Sequence, residues 1–407
     1  MNVLMLSPEP PYPLQSGGAC RTASLLHYFA QYAEVDLILL SEGGQPAVLP
    51  PGLVRSQDVI TLPVHRKTLA ARYLRNARRA IAGIPPLVDR FAGLENQIAR
   101  TVANRHYDLA VIEHFWCAPY VETIGNACAS TVLDLHNVES VLHRRCAEVS
   151  DGLMKLGHSR FTAASRNLEV SLLPRFSMVL AASDSDARTV HAIAPDARVT
   201  VYPNSLPLVP VPVLNERYMV VFSANFEYHP NIDATRFLLN DIWPEVHRRH
   251  PDLILRLVGR GDRSIRHLLS AGQGIETSGP IPDALAEIAQ ASIVIAPLRA
   301  GSGTRIKILE AWAAARPVIA TPLAAEGLSA TDGENILLAR DGPAFANAID
   351  ALLADESARR RLGAGGRRTF EDFYSWNAAW IKLDLDAQLM RNSGLKRYTG
   401  TSDAIRR

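Results

Sequence analysis

The segment that most constrains the fold lies between residues 292 and 327 and reads SIVIAPLRAGSGTRIKILEAWAAARPVIATPLAAEG. Its first apolar run, Ser292–Ala296, is rich in β-branched residues and predicts a buried parallel strand. A glycine-rich turn follows, and the apolar spacing then predicts a helix over residues 305–315. Arg316-Pro317 ends that helix, and Pro317 opens the next apolar strand. The segment therefore predicts one strand–helix–strand unit of a parallel sheet.

The turn inside this segment has the features of an anion site. The first amides of a helix have no partner within the helix, the helix dipole is positive there, and glycines let a ligand approach the backbone. Arg305 and Lys307 lie in the first turn, and Lys307 shares a helical face with Glu310. The alternative is an ordinary turn with a solvated Lys–Glu face. These residues alone leave both interpretations open.

The rest of the chain repeats the same alternation of strands and helices twice, which predicts an α/β fold with two doubly wound parallel sheets. Four prolines between residues 203 and 212 interrupt the pattern and indicate a hinge. We predict an N-terminal domain over residues 1–205, a hinge over 206–216 and a C-terminal domain over 217–374. A last helix is predicted over 375–390, followed by a polar tail over 391–407. A ligand is expected in the groove between the two domains.

Composition excludes several classes of protein. The 43 basic and 41 acidic residues give a net charge of +2, so nothing favours nucleic acid as a partner. The four cysteines have no metal-ligand spacing and are expected to be reduced thiols. The N-terminus lacks the basic leader and apolar length of a signal peptide, and no apolar run is long enough to span a membrane. We expect a cytoplasmic protein, with a peripheral position at the inner face of a membrane left open.

Several short motifs occur in the order found in one enzyme family, and with them the chain resembles the retaining GT-B glycosyltransferases of family four. The segment at residues 292–327 carries most of the resemblance. The supporting motifs are Gly17-Gly18, Glu113-His114-Phe115-Trp116, Tyr202–Ser205 (YPNS), Val258–Asp262 (VGRGD) and Ser278–Pro282 (SGPIP).

The resemblance implies a GT-B fold in which the last helix crosses back to the N-terminal domain. It also implies retaining transfer of a sugar from a UDP- or GDP-linked donor to a polysaccharide, lipid-linked or glycoconjugate acceptor. The donor would bind the C-terminal domain and the acceptor the N-terminal domain, with no cofactor because the nucleotide sugar is a substrate. The implied catalytic residues are His114, Lys307 and Glu310. Acceptor binding is assigned to Glu113 and His136, and donor binding to Gly18, Asn225, Arg260, Ile281, Ser302, Gly303, Thr304 and Arg305.

The chain departs from the family pattern at the donor site. Ser302 stands where the family has the first of two glutamates, and Asn225 and His229 stand where cations are usual. Arg260, Arg305 and Lys307 would then have to balance the diphosphate. These departures keep one alternative open, a non-catalytic nucleotide-sugar-binding partner of another transferase. A GT-B-type epimerase is a second alternative, which Ser302 disfavours because epimerases of this shape rely on several carboxylates in the groove.

Metal-dependent transfer would require a carboxylate pair of the Asp-x-Asp kind. The chain has two such pairs, Asp184-Ser185-Asp186 and Asp384-Leu385-Asp386. The first is predicted to open a helix, where acidic residues are favoured, and the second lies on the last predicted helix. We therefore predict no metal.

A basic stretch without acidic residues extends from Val64 to Pro85. Arg72, Arg75 and Arg79 share one face of a predicted helix there. An anionic membrane surface that presents a lipid-linked acceptor is one interpretation. A solvated basic helix is the other, and the sequence does not decide between them.

Overall fold

The structure is a computed structural model that describes residues 1–63, 68–269, 272–281, 283–301, 303 and 305–383. Within these ranges the strands form two sheets in which every pair of neighbouring strands is parallel. The first sheet contains β1 (Asn2–Ser7), β2 (Glu34–Ser41), β3 (Ser56–Thr61), β4 (Leu109–Glu113), β5 (Thr131–Leu135), β6 (Met178–Ala181) and β7 (Val199–Val201). The second contains β8 (Arg217–Ser223), β9 (Ile254–Val258), β10 (Ile275–Ser278), β11 (Ala291–Ala296), β12 (Val318–Ala320) and β13 (Leu337–Leu338).

Helices connect these strands in both halves of the chain. The first half contains α1 (Gly17–Ala30), α2 (Leu69–Ala82), α3 (Pro86–Arg90), α4 (Glu95–Val102), α5 (Val121–Gly125), α6 (Glu139–Glu148), α7 (Gly152–Leu172) and α8 (Asp184–Ile193). The second contains α9 (His229–Phe237), α10 (Trp243–Arg249), α11 (Asp262–Ile265), α12 (Ala284–Ala289), α13 (Ile306–Ala313), α14 (Gly342–Ala354), α15 (Glu356–Phe373) and α16 (Trp376–Lys382). A π-helical segment, Leu238–Ile242, joins α9 to α10.

The strand orders are β3-β2-β1-β4-β5-β6-β7 and β10-β9-β8-β11-β12-β13. In each sheet the order reverses beside the first strand of the domain, and α/β folds bind ligands at such a position. The central strands β4, β5 and β11 are buried along their whole length because helices cover both faces of a parallel sheet. This arrangement confirms the predicted α/β class with two Rossmann-like domains.

The two domains are joined by an extended segment and by a returning helix. Residues 202–216 contain neither helix nor strand apart from one bridge between Leu206 and Ser375. Helix α16 packs on α1 of the first domain: the Trp380 indole donates to the Ser24 carbonyl at 3.2 Å, and the Tyr28 hydroxyl donates to the Leu383 carbonyl at 2.8 Å. The chain thus returns to its first domain, as the resemblance implied. The remainder of the predicted last helix and the tail over 391–407 lie outside the described residues.

The basic helix α2 differs from the prediction. Arg79 was placed on an exposed basic face, but its side chain is buried and pairs with Asp89 at 2.7 Å. Leu74 and Ile81 are 75% and 82% exposed, and Asn76 and Arg78 are exposed as well. Arg79 therefore does not belong to an exposed basic face, whereas Arg75 is half-buried and Arg78 lies at the surface. Arg66, Lys67 and the side chain of Arg72 lie outside the described part.

Candidate functional site

The carboxyl edges of the two sheets face each other across a narrow groove. A Cβ atom built on Gly17, at the start of α1, would lie 3.0 Å from the Ile306 side chain at the start of α13. A Cβ on Gly303 would lie 2.7 Å from the carbonyl oxygen of His136, which follows β5. The Arg145 guanidinium of α6 donates to the Gly301 carbonyl oxygen at 3.0 Å. The predicted glycine turns of both domains therefore lie on opposite sides of the same groove.

The turn before α13 depends on glycine. Gly301 and Gly303 have φ angles of 113° and 74°, in the region that side chains with a Cβ rarely adopt. The helix then runs over Ile306–Ala313, close to the predicted 305–315, with Arg305 as its N-cap residue. The Arg305 side chain does not cap the helix. Two predicted donor-binding residues in this turn, Ser302 and Thr304, lie outside the described residues.

Lys307 and Glu310 share one side of α13, as their spacing predicts. The Lys307 ammonium donates to the amide oxygen of Asn231 at 3.0 Å and lies 4.4 Å above the Phe222 ring. Burial, reinforced by the charge of Arg305, lowers the pKa of Lys307 to about 7, although Glu310 opposes this shift. Burial also raises the pKa of the Glu310 carboxyl. Cation and acid are thus held in a poorly solvated position.

Arg305 is the second cation at this position. Burial and the neighbouring Arg145 lower the pKa of the Arg305 guanidinium, whereas Tyr228 raises it. Arg145 was not predicted, yet it forms an ion pair with Glu326 of the second domain at 2.7 Å. Positive charges from both domains therefore lie close together near the turn before α13.

The loops after β8, β9 and β10 contain the other predicted donor residues. The Asn225 carbonyl accepts from the Asn231 amide at 2.9 Å, so Asn225 is connected to Lys307 through Asn231. Arg260 is 73% exposed and pairs with Glu227 at 3.2 Å. Ile281 is half-buried after β10. The role predicted for Arg260 in balancing the diphosphate would require that its pair with Glu227 open.

The first domain contributes four side chains that we call the histidine cluster: Glu9, Glu113, His114 and His136. The His114 ring stacks on His136, with ring centres 3.5 Å apart, and on Trp116, with centres 4.2 Å apart. Its Nε2 atom lies 2.8 Å from a Glu9 carboxylate oxygen. Burial and then His136 lower the pKa of His114. The backbone at His114 has φ 64°, which turns the chain sharply after β4.

The predicted acceptor residues His136 and Glu113 contact each other. His136 Nε2 lies 2.8 Å from a Glu113 carboxylate oxygen, which also accepts from the Thr22 hydroxyl at 3.1 Å. Burial and the neighbouring Asp134 raise the pKa of Glu113. The Glu113 side chain has no exposed surface. A contribution of Glu113 to acceptor binding would therefore act through the His136 ring.

A buried ion pair supports the histidine cluster, and the sequence did not predict it. Arg21 of α1 and Asp134 of β5 pair at 2.5 Å with no exposed side-chain surface on either residue. Arg21 also donates to the Tyr202 carbonyl at 2.6 Å and to the Asn204 side chain at 2.9 Å. Burial alone would raise the pKa of Asp134, but Arg21 and His136 lower it overall. These residues are far apart in the sequence. The position of Asp134 near the end of a strand is the one sequence feature that indicates this ion pair.

Gly18, predicted to bind the donor, lies against the histidine cluster. A Cβ on Gly18 would lie 1.6 Å from a Glu9 carboxylate oxygen and 3.1 Å from His114 Nε2. Ser16 caps α1 by accepting from the Ala19 amide at 3.0 Å. The absence of a side chain at Gly18 therefore leaves room for the Glu9–His114 contact.

Asp184 and Asp186 do lie at the start of a helix, as predicted. Ser183 is the N-cap residue of α8, and its hydroxyl donates to the Asp186 carboxylate at 2.7 Å. Asp384 and Asp386 lie outside the described residues. A search of the described helices finds none that is long and apolar enough to cross a bilayer.

The comparisons with known proteins agree with this architecture. Residues 217–355 match the family model described as Glycosyl transferases group 1. The chain is 31% identical over 165 residues to the phosphatidyl-myo-inositol mannosyltransferase of Mycobacterium leprae, over 39% of this chain and 44% of that protein. It is 28% identical over 138 residues to an uncharacterized 44.6 kDa protein in the cps region of Klebsiella pneumoniae, over 32% of this chain and 36% of that protein. Both matches span less than half of the relative's length.

Solved structures match nearly the whole chain. Sucrose-phosphate synthase from Thermosynechococcus elongatus has a TM-score of 0.75 at 17% identity and covers 96% of this chain and 99% of its own. The Anabaena protein HepE in complex with UDP and glucose has a TM-score of 0.63 at 16% identity, over 96% of this chain and 99% of its own. The chain therefore has the GT-B fold, and the match to the glycosyl transferases group 1 model lies within its second domain.

Proposed function

We propose that this protein is a retaining glycosyltransferase that uses a UDP- or GDP-sugar as donor. The observation that carries the proposal is the position of Arg305 and Lys307, at the start of α13, opposite the histidine cluster of the first domain. Structural relatives are described as complexes with UDP and glucose or with UDP-2-fluoro glucose, which supports a nucleotide-sugar donor here as well.

In this proposal the second domain stabilises the leaving diphosphate. Glycosyl transfer develops negative charge on the diphosphate, and positive groups that are already in position lower the barrier most effectively. Arg305, Lys307 and the positive end of the α13 dipole would supply those groups. Glu310, next to Lys307, would contact the donor ribose. Because two cations are already available, transfer is proposed not to need a divalent metal, so added Mg²⁺ or Mn²⁺ should not increase the rate.

The first domain would bind the acceptor at the histidine cluster. His114 Nε2 interacts with Glu9, whose side chain is 31% exposed, so this pair gives the buried cluster a polar connection to solvent. Front-face transfer needs the acceptor hydroxyl and the leaving oxygen on the same side of the sugar. A carbohydrate or lipid-linked acceptor entering between His114 and the start of α13 would satisfy that requirement.

A donor panel tests the proposal. We expect one class of nucleotide sugar to raise the Tm of the protein, since a ligand that binds only the native state stabilises it, and to be slowly hydrolysed without acceptor. Lys307→Ala and Glu310→Ala should each reduce donor use about tenfold or more, because a hydrogen bond to a charged group contributes about 1.5–3 kcal/mol. Lys155→Ala, at an exposed lysine of α7, is the matched control.

Three outcomes would overturn parts of this proposal. Full activity in either α13 variant would remove that helix from the site. Donor binding without hydrolysis or transfer would favour the non-catalytic binding partner. Conversion of the donor into its epimer would favour the epimerase.

We also propose that the acceptor is presented at an anionic lipid surface. Exposed apolar side chains occur on α2 and on the first turns of α7, where Leu153 is 85% and Leu156 is 68% exposed. The two helices are adjacent, because the Arg160 guanidinium donates to the Ala80 carbonyl at 3.2 Å. The name of the mycobacterial relative, a phosphatidyl-myo-inositol mannosyltransferase, also favours a lipid acceptor.

Liposome sedimentation at low salt tests this surface. Vesicles containing phosphatidylserine should sediment the protein, and neutral vesicles should sediment it less, because basic residues near the apolar positions attract anionic lipid. The double variant Leu74→Ser/Ile81→Ser should lose most of the binding, whereas Val213→Ser, at a fully exposed residue of the connecting segment, should retain it. Equal sedimentation of the double variant and the parent protein would exclude this surface.

A further inference from the structure

A second group of chemically active side chains lies between the domains, outside the residues assigned to donor and acceptor. It consists of Cys146 of α6, His158 of α7 and His229 at the start of α9. One potential ligand atom from each of the three lies within 4.8 Å of the others. The first two residues belong to the first domain and the third to the second domain.

We propose that Cys146, His158 and His229 form a binding site for a zinc-class divalent transition metal that links the two domains. A thiolate and imidazoles are the donors that Zn²⁺ and Co²⁺ prefer, whereas Mg²⁺ and Mn²⁺ prefer carboxylate and water oxygens. In a tetrahedral site with Zn–N bonds of about 2.0–2.1 Å, neighbouring ligand nitrogens are about 3.3 Å apart. The ligand atoms of the observed group lie within 4.8 Å of one another, which is close enough for the three side chains to adjust around one ion.

The surroundings of His229 and His158 support ligation. The Nδ1 atom of His229 is buried and has no hydrogen-bond partner among the described residues, which is costly for a polar atom unless a ligand completes it. Its Nε2 atom lies 3.3 Å from the Ser150 hydroxyl. The Nδ1 atoms of His158 and His143 are 3.0 Å apart, and this hydrogen bond fixes the orientation of the His158 ring.

The imidazoles of this group have the protonation state that metal binding needs, whereas the thiol would have to lose its proton. Burial lowers the pKa values of His158 and His229, and burial together with His158 lowers the pKa of His143 to about 4, so the imidazoles are neutral near pH 7. Burial raises the pKa of the Cys146 thiol to about 11, with Arg305 opposing the shift. A bound divalent ion would displace the thiol proton, since coordination stabilises the thiolate.

The other group with metal-ligand chemistry is less suitable. Glu113, Asp134 and His136 are also close enough to share an ion. The Asp134 carboxylate, however, already accepts a bifurcated hydrogen bond from the single Nε–H of Arg21 and another hydrogen bond from its Nη2 atom. A cation there would face a buried guanidinium at close range. The ion pairs of the described residues do not include Cys146, His158 or His229, although the positive charge of Arg305 also acts on the Cys146 thiol.

The proposed metal would act on domain motion. Because His229 is the only one of these three ligands from the second domain, an ion bound at the site would hold the groove in the arrangement described here. This inference does not rest on the proposed transferase activity, and its test reads metal coordination directly.

Cobalt titration of the reduced, chelator-treated full chain provides the test. We expect one Co²⁺ per chain, with the intense visible bands of tetrahedral coordination and a thiolate-to-cobalt charge-transfer band in the near ultraviolet. Cys146→Ser should abolish the charge-transfer band. His158→Gln and His229→Gln should each weaken Co²⁺ binding by about tenfold or more, since even residues that only support ligands change affinity by 10–100-fold.

Matched controls use residues outside the group. Cys128→Ser alters a half-buried free thiol, and His191→Gln alters an exposed imidazole; both should bind Co²⁺ like the parent chain. Zn²⁺ should also slow proteolysis of the connecting segment 203–216 in the parent chain but not in His229→Gln. Absence of the charge-transfer band, or an unchanged isotherm in Cys146→Ser, would overturn the proposal. If Cys146→Ser does not fold, unchanged Co²⁺ binding in His229→Gln would overturn it equally.

Discussion

The two sides of the groove are built in different ways. In the second domain, Arg305, Lys307 and Glu310 lie within one short helix and its cap, so their geometry follows from local structure. In the first domain, Glu9, Glu113, His114 and His136 come from three separate segments of the chain and meet only when the sheet forms. One side is a sequence motif, and the other is a product of tertiary packing.

The two sides also differ in how their charges are balanced. Arg21 and Asp134 support the histidine cluster as a buried pair whose charges balance each other, and Arg21 also donates to the Tyr202 carbonyl. Lys307 instead has a neutral amide as its hydrogen-bond partner and a pKa lowered to about 7 by burial and Arg305. A buried cation whose pKa is lowered in this way is stabilised when an anion binds. Groups with strongly perturbed pKa values are frequent at functional sites. The first domain therefore supplies a fixed framework, whereas the second domain has charges that a ligand can balance.

The largest effect is expected from breaking the buried pair. Arg21→Met should lower the free energy of unfolding by about 3–5 kcal/mol, because it leaves the Asp134 carboxylate buried without its counter-charge. Chemical denaturation in urea measures this loss. The double variant Arg21→Met/Asp134→Leu should recover much of it, since replacing both charges with apolar groups removes the desolvation penalty.

An exposed ion pair serves as the control for this prediction. Arg248 and Glu245 pair on the surface of α10 at 2.7 Å, and Arg248→Met should leave the denaturation midpoint unchanged because water screens such pairs. Equal losses in Arg21→Met and Arg248→Met would show that the first domain does not depend on its buried framework.

The contrast between local structure and tertiary packing also explains which elements can be predicted from the sequence. Strands with continuous apolar runs, such as β1 and β11, were located from their residues because both faces of a parallel sheet are buried. Strand β3 has no such signal: it lies at the edge of the first sheet, and its sequence SQDVIT is only partly apolar. Edge strands bury one side less completely, so the apolar signal that marks central strands is weak there.

Helix α15 is hard to predict from the sequence for a different reason. Gly363, Gly365 and Gly366 are unfavourable within a helix and indicate a break when the sequence is considered alone. In the structure, a Cβ on Gly363 would lie 2.2 Å from the Ala315 carbonyl oxygen, and one on Gly365 would lie 2.1 Å from the Glu334 carbonyl oxygen. Close packing of backbones requires these glycines, and local propensity carries no information about such a contact.

The candidate site also contains residues that local sequence predicts and residues that only tertiary contacts bring together. The residues of α13 were predicted because an anion site at a helix start is a local feature. Arg21, Arg145 and Asn231 were not predicted, since their roles arise from contacts between residues 76 to 156 positions apart in the sequence. The roles assigned to His114, Lys307 and the other site residues remain predictions for the experiments above.

The second prediction concerns the pH dependence of donor binding and tests the charge of Lys307 in the second domain. In the free protein Lys307 loses its proton near pH 7, whereas an anionic donor would stabilise the charged form and raise its pKa. The affinity for a UDP-sugar should therefore fall as pH rises above 7, by up to about tenfold per pH unit until the pKa of the complex is reached. Calorimetry in buffers of different ionisation enthalpy should show proton uptake on binding.

Two variants isolate the contribution of Lys307. Lys307→Arg keeps the charge throughout this pH range, so the affinity should stay nearly constant between pH 7 and 9. Lys307→Met should bind weakly and also without pH dependence. If the affinity of Lys307→Met depended on pH as strongly as that of the parent protein, a group other than Lys307 would be titrating.

The lowered pKa of Lys307 also affects the stability of the free protein. The free energy of unfolding should rise with pH above 7, because the unfolded chain then binds more protons at this residue than the folded chain does.

The smallest effect is expected from two adjacent glycines that face different sides of the groove. In Gly18→Ala the new methyl group would overlap the Glu9 carboxylate, which must swing outward and lose its contact with His114. The gain of about 1 kcal/mol in helix propensity offsets the loss of about 1 kcal/mol from that hydrogen bond, so the Tm should change little. The pKa of His114 should nevertheless fall further, because Glu9 is one of the groups that raise it. Titration of the His114 ring by NMR measures this shift.

Gly17→Ala should have the opposite pattern. Its methyl group would approach the Ile306 side chain at 3.0 Å across the groove, so the start of α13 must move by a few tenths of an ångström while Glu9 and His114 stay in place. We therefore expect weaker donor binding with an unchanged His114 titration. If Gly17→Ala shifted the His114 pKa as much as Gly18→Ala does, the two sides would be energetically coupled. The fixed framework would then extend across the groove, and donor binding would directly change the pKa of His114 in the histidine cluster.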